Sequence, residues 1–296
     1  MNLDRLHPAL IAILGIGVLS VMDALIKAIG AELPLFEMIF LRFVFGVATA
    51  MAVWVITRPA LPNREAIKIN LFRGCLVTLT VSTFFYALRT LPLAEAIAFS
   101  FLSPLFLALF GALILGERIG RHTLGGLAIG FLGMVVMVGG QGFSGVNLHL
   151  PGAAAAIASA VTYAFSLVLL RQRAQQDALI TIVLFQNIVP GTIIAVPAVM
   201  TWVPPSMGDL GLTALIGVMG VCGHLLMGAA FRRAEASRLA IAEYSALLYA
   251  TVLGFVFFKE IPGLATLAGT ALIVIGTLLA MRERGNPDVP PVDPAP

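Results

Sequence analysis

Four charged side chains interrupt stretches of the sequence that are otherwise apolar. Asp23 and Arg42 lie in the first two stretches, Arg73 lies in the third, and Glu243 lies in the ninth. An ionised side chain within hydrocarbon is costly, so it usually faces a helix-bundle interior, a water-filled cavity or an oppositely charged partner. The chemistry open to these residues is therefore ion pairing, binding of a charged solute, or proton exchange.

Asp23 and Arg42 are predicted at similar depths, and two interpretations of them stay open. They could form a structural ion pair, with Lys27 as a competing partner because it lies one helical turn beyond Asp23. Alternatively, Arg42 could attract an anionic group of a substrate.

Glu243 also has two interpretations. Its carboxylate could bind a cationic substrate or exchange a proton, as carboxylates do in proton-coupled transport. It could instead pair with Arg73 or Arg238 as an inner gate or a static brace. We predict coupling or gating roles for Asp23, Arg73 and Glu243.

Neutral polar and aromatic side chains would line a cavity between the helices. Hydrogen bonds between helices would explain the same residue types, so this assignment has a structural alternative. With Arg42, the predicted substrate-binding residues are Tyr86, Phe99, Ser103, Tyr163, Gln186, Asn187, His224 and Tyr244.

The composition identifies the solvent that these elements need. Of the 296 residues, 59% are hydrophobic and 11% are charged, and the mean hydropathy is +1.01. A soluble domain carries about 25% charged residues. A water-soluble fold is therefore excluded, and we expect an all-α integral membrane protein.

Short polar or Pro/Gly segments divide the chain into ten apolar stretches, each about long enough to cross a bilayer. The final segment is rich in proline and predicts a disordered cytoplasmic tail at residues 282–296. The predicted transmembrane helices are 8–28, 34–57, 70–89, 94–115, 122–139, 151–170, 178–200, 209–231, 237–258 and 262–281.

The distribution of basic residues predicts the orientation. Fourteen of the 18 Lys and Arg residues fall on the side of the N-terminus, three fall on the other side, and Arg42 lies within a helix. Cytoplasmic loops are enriched in Lys and Arg. We predict a multi-pass inner (plasma) membrane protein with both termini in the cytoplasm.

Residues 87–133 match residues 230–276 at a constant shift of 143 positions. The coinciding pairs include Glu117/Glu260, Gly126/Gly269 and Gly133/Gly276. Two five-helix repeats are expected, 1–148 and 149–281, and an odd number of helices inverts the second. Inverted repeats are typical of secondary transporters, in which alternating access comes from rocking one half against the other.

The segment 86–120, YALRTLPLAEAIAFSFLSPLFLALFGALILGERIG, resembles EamA-type families of the drug/metabolite transporter superfamily. Further support comes from FEMIFLRFVFG (36–46), Arg73-Gly74 and EYSALLYATVLGFVFFKEIPG (243–263). The resemblance covers nearly the whole chain. It implies a ten-helix, inverted-repeat carrier that moves metabolites through a central cavity.

The resemblance also bears on individual residues. Arg42 matches the family's Arg-Phe motif, and Glu117 and Glu260 follow its Gly-Glu signature, although Lys259 replaces the second glycine. We expect both glutamates to cap backbone or pair with basic loop residues. The LRF, FRG and EYSAL segments are most similar to the branch containing S-adenosylmethionine and riboflavin uptake carriers.

Other functional classes are disfavoured by what the sequence lacks. No Walker, HExxH or GxSxG motif is present, the four histidines are scattered, and the net charge is only +3. We therefore predict no enzyme activity, cofactor, metal site or nucleic-acid partner.

The predicted function is a secondary active transporter for a small polar metabolite that is amino-acid-, nucleoside- or vitamin-like. Its partners would be that solute and the lipid bilayer, and the chain would be a monomer or a homodimer. The alternatives are an amino-acid or drug exporter working by proton antiport and, from another class, a membrane enzyme acting on lipid-linked substrates.

Overall fold

A computed structural model describes residues 7–29, 33–90, 99–100, 102–139, 150–258 and 263–281, and the elements assigned in these residues are helices. A short helix (Ala236–Leu239) and a 3-10 helix (Ala240–Tyr244) precede the ninth long helix. The long helices are α1 (Pro8–Ile29), α2 (Leu35–Thr57), α3 (Arg64–Thr90), α4 (Ser103–Leu115), α5 (Arg121–Gly139), α6 (Leu150–Ala174), α7 (Leu179–Met200), α8 (Met207–Arg233), α9 (Ser245–Phe258) and α10 (Leu264–Met281).

The order of these helices follows the predicted spans, with differences at the ends. Helix α3 begins at Arg64 rather than at 70, and α6 continues to Ala174, because polar helical turns extend the apolar segments at both places. The predicted ninth helix is interrupted by the 3-10 helix Ala240–Tyr244. Part of the predicted fourth helix and the tail 282–296 lie outside the described residues.

Several helices have the length and apolarity needed to cross a membrane. In the described part of the chain, six candidate spans meet both requirements, and shorter apolar helices occur at Ser103–Leu115, Arg121–Val136 and Leu267–Gly276. The protein is therefore a multi-pass membrane protein, whereas the count of ten spans stays a prediction. The six are Pro8–Ile26, Phe36–Thr57, Arg64–Phe84, Leu150–Ala174, Leu179–Met200 and Met207–Arg233.

Local sequence explains where two of the helices begin and end. Helix α8 begins with a capping box, in which Ser206 accepts from the Asp209 N–H and the Asp209 carboxylate accepts from the Ser206 N–H. Helix α4 ends on Gly116, whose φ of 68° is a left-handed conformation that glycine adopts without strain.

The helices pack in pairs that the 143-residue repeat relates to one another. Helix α1 packs on α8 as α6 packs on α3, and α1 contacts α9 as α6 contacts α4. Helices α2 and α7 pair with each other, and so do α5 and α10. Two related groups result, the α3–α4–α6 bundle and the α1–α8–α9 bundle, and each contains helices from both repeats.

The glycines of the sequence repeat lie where α5 crosses α10. A Cβ atom added to Gly133 would lie 2.7 Å from the carbonyl oxygen of Gly269, and one added to Gly276 would lie 2.7 Å from that of Gly126. The two contacts are related by the repeat. Small residues here allow the two helix backbones to touch, as is common between membrane helices.

The main apolar core joins the two bundles. It contains fully buried side chains from both of them, among them Ile11, Leu107, Leu170 and Phe231. This core surrounds the segment 236–244 and therefore fixes the position of Glu243.

Candidate functional site

Hydrogen bonds join the two bundles on one side of the molecule, where α3 begins and where α4, α6 and α8 end. We call this the basic side. The Glu117 carboxylate accepts from the Ala236 N–H at 2.9 Å and pairs with Arg171 at 3.5 Å. Arg171 also donates to the Phe231 carbonyl. The predicted capping and pairing role of Glu117 agrees with this geometry, whereas Glu260 lies outside the described residues.

A second set of contacts strengthens the same side. Arg232 of α8 donates to the carbonyls of Ala174 at 2.5 Å and Asp177 at 2.7 Å. The buried Arg173 binds both oxygens of Asp177, at 2.7 and 2.6 Å. The sequence interpretation did not include this network. Its one local signal was the i,i+4 spacing of Arg173 and Asp177.

Arg73 is buried and hydrogen-bonded inside the protein. It is 2% exposed, its Nε donates to the Ser166 carbonyl at 3.0 Å, and one terminal nitrogen donates to Gln186 Oε1 at 2.7 Å. These contacts tie α3 to α6 and α7. The structure thus joins Arg73 with Gln186, two residues predicted from sequence.

Glu243 is bound to a tyrosine and not to an arginine. It is 8% exposed, and its Oε2 accepts from the Tyr163 hydroxyl at 3.1 Å. Its Oε1 has no hydrogen-bond partner within the described part of the chain. Arg238 pairs instead with Glu235 at 2.7 Å, so neither predicted arginine partner holds Glu243.

Arg42 makes only weak contacts. Its guanidinium lies 4.1 Å from the Phe43 ring centroid and one nitrogen lies 3.8 Å from Met22 Sδ. The same nitrogen is 3.4 Å from the position a Cβ atom would take on Gly220. Among the described residues, no oxygen atom accepts a hydrogen bond from Arg42.

Asp23 is solvent-accessible yet lies on the inner face of α1. The exposed Leu14 marks the outer face of this helix. The step from Leu14 to Asp23 is about two and a half helical turns, which places the two side chains on opposite faces. Asp23 interacts electrostatically with Arg42 and with Tyr163 of α6, so its accessible surface belongs to the interior of the molecule.

Asp23 and Arg42 are neighbours without being bonded. In the described structure they form no hydrogen bond and no ion pair within 4.0 Å, although each lies in the electrostatic field of the other. The side chain of Lys27, the competing partner considered from the sequence, lies outside the described residues.

Two other predicted site residues bind their own helices. The Asn187 amide donates to the Val183 carbonyl at 2.8 Å. A His224 ring nitrogen lies 2.6 Å from the Gly220 carbonyl. His224 nevertheless lies within electrostatic range of Arg42 and Arg73.

The remaining predicted site residues pack elsewhere in the protein or lie on its surface. Tyr244 is 0% exposed and packs against Gly130 of α5. Ser103 is buried in the first turn of α4, and Phe99 packs in a small cluster with Ala87 and Ala156. Tyr86 is 47% exposed.

The position of Tyr86 follows from the outer face of α3. Leu71, Cys75, Leu79 and Ser82 are also exposed, and their spacing with Tyr86 forms a single helical stripe. The stripe lies opposite Arg73 on the helix. The structure therefore directs Tyr86 away from the interior.

The charged and polar side chains that lie near one another inside the protein come from both bundles and from the α2/α7 pair. They include two carboxylates, Asp23 and Glu243, and two guanidinium groups, Arg42 and Arg73, and charged groups inside a membrane protein are typical of a solute or ion pathway. In the described residues, no group of three or more His, Cys, Asp or Glu side chains could hold a metal ion. We call this set the central polar group: Asp23, Arg42, Arg73, Tyr163, Gln186, His224 and Glu243.

Apolar helices around a shared polar interior define a multi-pass membrane transporter, and comparison with known proteins identifies its family. Residues 7–139 and 150–282 each match the EamA-like transporter family. The chain belongs to this family, whose two-fold match fits the two-repeat architecture. It is a membrane transporter of small metabolites.

Two relatives illustrate the range of the family. The chain is 31% identical to the pseudopaline exporter CntI of Pseudomonas aeruginosa over 96% of its own length and 99% of that protein. It is 24% identical to the S-adenosylmethionine uptake transporter of Rickettsia prowazekii, over 88% and 87% of the two chains. Both are named as transporters and not as enzymes.

A solved structure supports the fold. A protein crystal structure matches this chain with a TM-score of 0.82 at 24% identity, covering 93% of this chain and 98% of the other. At this identity the match establishes the fold alone.

Proposed function

We propose that this protein is a secondary active transporter that moves a small polar metabolite across the inner membrane by alternating access. The observation that carries the proposal is the central polar group. It places opposite charges from α1, α2, α3 and the segment before α9 around one interior. The basic side of that interior is closed by hydrogen bonds between the bundles.

The two sides of the molecule differ, which supports a definite conformational state. Helices α6 and α8 are in contact and are hydrogen-bonded at their ends on the basic side. The repeat relates this pair to α1 and α3, which make no comparable contact within the described residues. With the basic side in the cytoplasm, as the Lys and Arg distribution predicts, this state is closed to the cytoplasm and open outwards.

The packing also suggests which bodies move. The sequence repeat led us to expect one half of the chain rocking against the other. The contact pairs instead group α3, α4 and α6 against α1, α8 and α9. We propose that these two bundles rock about the α2/α7 and α5/α10 pairs, which the repeat maps onto themselves.

The direction and coupling of transport are part of the proposal. Of the two relatives described, one is named an exporter and the other an uptake transporter. We propose that imposed gradients set the direction in this protein. The carboxylates of Asp23 and Glu243 are the candidates for proton coupling, since both lie in the interior group.

The test is counterflow in proteoliposomes without ATP. Vesicles preloaded with each unlabelled solute of a metabolite panel, with S-adenosylmethionine among them, are diluted into the labelled solute. The proposal expects saturable, transient accumulation of at least one solute. A flux that rises linearly without saturation would indicate a channel. No flux for any solute, under proton gradients of either sign, would overturn the proposal.

A further inference from the structure

We infer that Asp23 and Arg42 form a subsite for a zwitterionic α-amino-acid group, with the substrate carboxylate on Arg42 and its ammonium on Asp23. This inference rests on the proposed function and specifies the class of substrate. It keeps Arg42 in the substrate-binding role predicted from the sequence, and it makes Arg73, predicted as a coupling or gating residue, a positioning residue.

The contrast between the arginines begins with their hydrogen bonds. A guanidinium has five N–H donors in a fixed fork that matches a carboxylate. Arg73 directs donors at Ser166 and Gln186 and is 2% exposed. Arg42 has a sulfur atom and an aromatic ring as neighbours, and no described oxygen accepts from it. Its donors therefore remain available for a ligand.

Asp23 supplies the complementary charge beside Arg42. Its carboxylate is exposed, faces the interior and makes no hydrogen bond among the described residues. Burial of a charge without a partner is costly, whereas contact with water or with a ligand offsets that cost. Asp23 is thus an accessible acceptor for an ammonium group.

The two charges together select for a ligand that carries both signs. A substrate with a carboxylate alone would be attracted by Arg42 and repelled by Asp23, and an amine alone would meet the reverse. The adjacent ammonium and carboxylate groups of an amino acid satisfy both side chains at once. This is selection by repulsion as well as by attraction.

The surroundings of Arg42 fix the position of this subsite. The Phe43 ring and Met22 Sδ flank the guanidinium. Gly220 of α8 lies directly beside it, because an added Cβ atom would be in van der Waals contact, at 3.4 Å, with both the guanidinium nitrogen and Met22 Sδ. Helices α1, α2 and α8 therefore meet at the subsite, and two of them belong to the α1–α8–α9 bundle.

The experiment uses matched sets of three probes in the counterflow assay. Each set contains an L-amino acid, the amine that lacks its carboxylate and the acid that lacks its amino group, for example L-leucine, 3-methylbutylamine and 4-methylpentanoate. S-adenosylmethionine and its decarboxylated form are a further pair. Each compound is tested both as the exchanged solute and as a competitor. We expect amino acids to exceed either analogue in apparent affinity by at least about tenfold, the effect of losing one charged hydrogen bond.

Two variants test the assignment of each charge. Arg42→Gln should lose the preference for the amino acid over the amine, and Asp23→Asn should lose its preference over the acid. Cys75→Ser, on the outer stripe of α3, should keep both preferences. Arg42→Lys retains the charge and should keep the order of the three probes with weaker binding. This variant still tests the role of Arg42 if the glutamine variant folds poorly.

The outcomes separate this inference from the proposed function. If amines or acids are exchanged as well as their amino acids, transport stands and the zwitterion subsite is refuted. If both variants lower the affinity for all three probes equally, the assignment of the charges is refuted. If no solute exchanges at all, the proposed function falls, and this inference falls with it.

Discussion

At the scale of single residues, chemically identical side chains differ in what they contact. Arg42 and Arg73 both interrupt apolar helices, yet Arg73 is held by Ser166 and Gln186 while Arg42 has no described oxygen partner. Glu243 differs from Asp23 in the same way, because one of its oxygens is bound by Tyr163. Available donors and acceptors, rather than charge alone, distinguish binding groups from structural ones.

The Tyr163–Glu243 contact makes a first prediction. Tyr163→Phe removes the donor to Glu243 Oε2 and leaves a buried carboxylate with neither oxygen bonded. A buried acceptor left without its partner costs about 1–3 kcal/mol. We expect a lower thermal unfolding temperature in detergent. Tyr249→Phe is the matched control, since it loses no described hydrogen bond, and an equal loss in both variants would contradict the role of the contact.

The sequence identified these residues but not their pairing. Asp23, Arg42, Arg73 and Glu243 could be selected because charge in an apolar stretch is costly wherever the helix packs. Their partners depend on helix rotation and on contacts between distant segments, which no local pattern specifies. Tyr86 shows the limit, because its residue type suits a cavity while its place on α3 directs it outwards.

At the scale of helices, the repeated glycines of the sequence indicated a helix contact, whereas no sequence pattern predicted the interruption before α9. Gly126, Gly133, Gly269 and Gly276 form one symmetric crossing of α5 and α10, which gives their repetition a packing cause. The 3-10 segment Ala240–Tyr244 lies within a continuous apolar stretch, so hydropathy alone predicts an unbroken helix there. Tertiary contacts with α1, α4 and α5 accompany the break.

The glycine crossing makes a prediction with an internal control. Gly133→Ala and Gly276→Ala would each place a Cβ atom 2.7 Å from a backbone oxygen, and overpacking of this kind costs about 1–3 kcal/mol. Gly211→Ala in α8 meets no atom within 4 Å and should be neutral or stabilising, because alanine favours a helix by about 0.5–1 kcal/mol.

Thermal unfolding of the three purified variants measures this difference. Equal melting temperatures for Gly133→Ala and Gly211→Ala would show that the crossing tolerates a side chain. A large difference between Gly133→Ala and Gly276→Ala would contradict the symmetry of the contact.

At the scale of the whole molecule, the outward-open state assigned above depends on the orientation of the chain in the membrane. We predict that Arg58 is cytoplasmic and that Thr201 is on the outer side, with both exposed. In a background with Cys75 and Cys222 replaced by serine, Arg58→Cys should react with an impermeant maleimide only after spheroplasts are permeabilised. Thr201→Cys should react in intact spheroplasts. The reverse pattern would invert the assigned state.

The sequence repeat indicated two related halves, while the structure groups the helices differently. Local similarity between 87–133 and 230–276 cannot show that α1 packs with α8 and α9 rather than with α3. That partition follows from the packing faces of complete helices. It determines which crosslinks should arrest transport.

The most direct test of alternating access is counterflow after crosslinking the two bundles on the basic side. Gln175→Cys places a thiol immediately after the end of α6, and Arg232→Cys places one near the end of α8, where Arg232 reaches the Ala174 carbonyl. A short bifunctional methanethiosulfonate would join them. As the control, Glu65→Cys and Gln176→Cys lie near Arg173 within the α3–α4–α6 bundle.

We expect the first crosslink to stop saturable counterflow, dithiothreitol to restore it, and the control crosslink to leave counterflow unchanged. Undiminished counterflow through protein fully crosslinked between α6 and α8 would contradict movement of the two bundles.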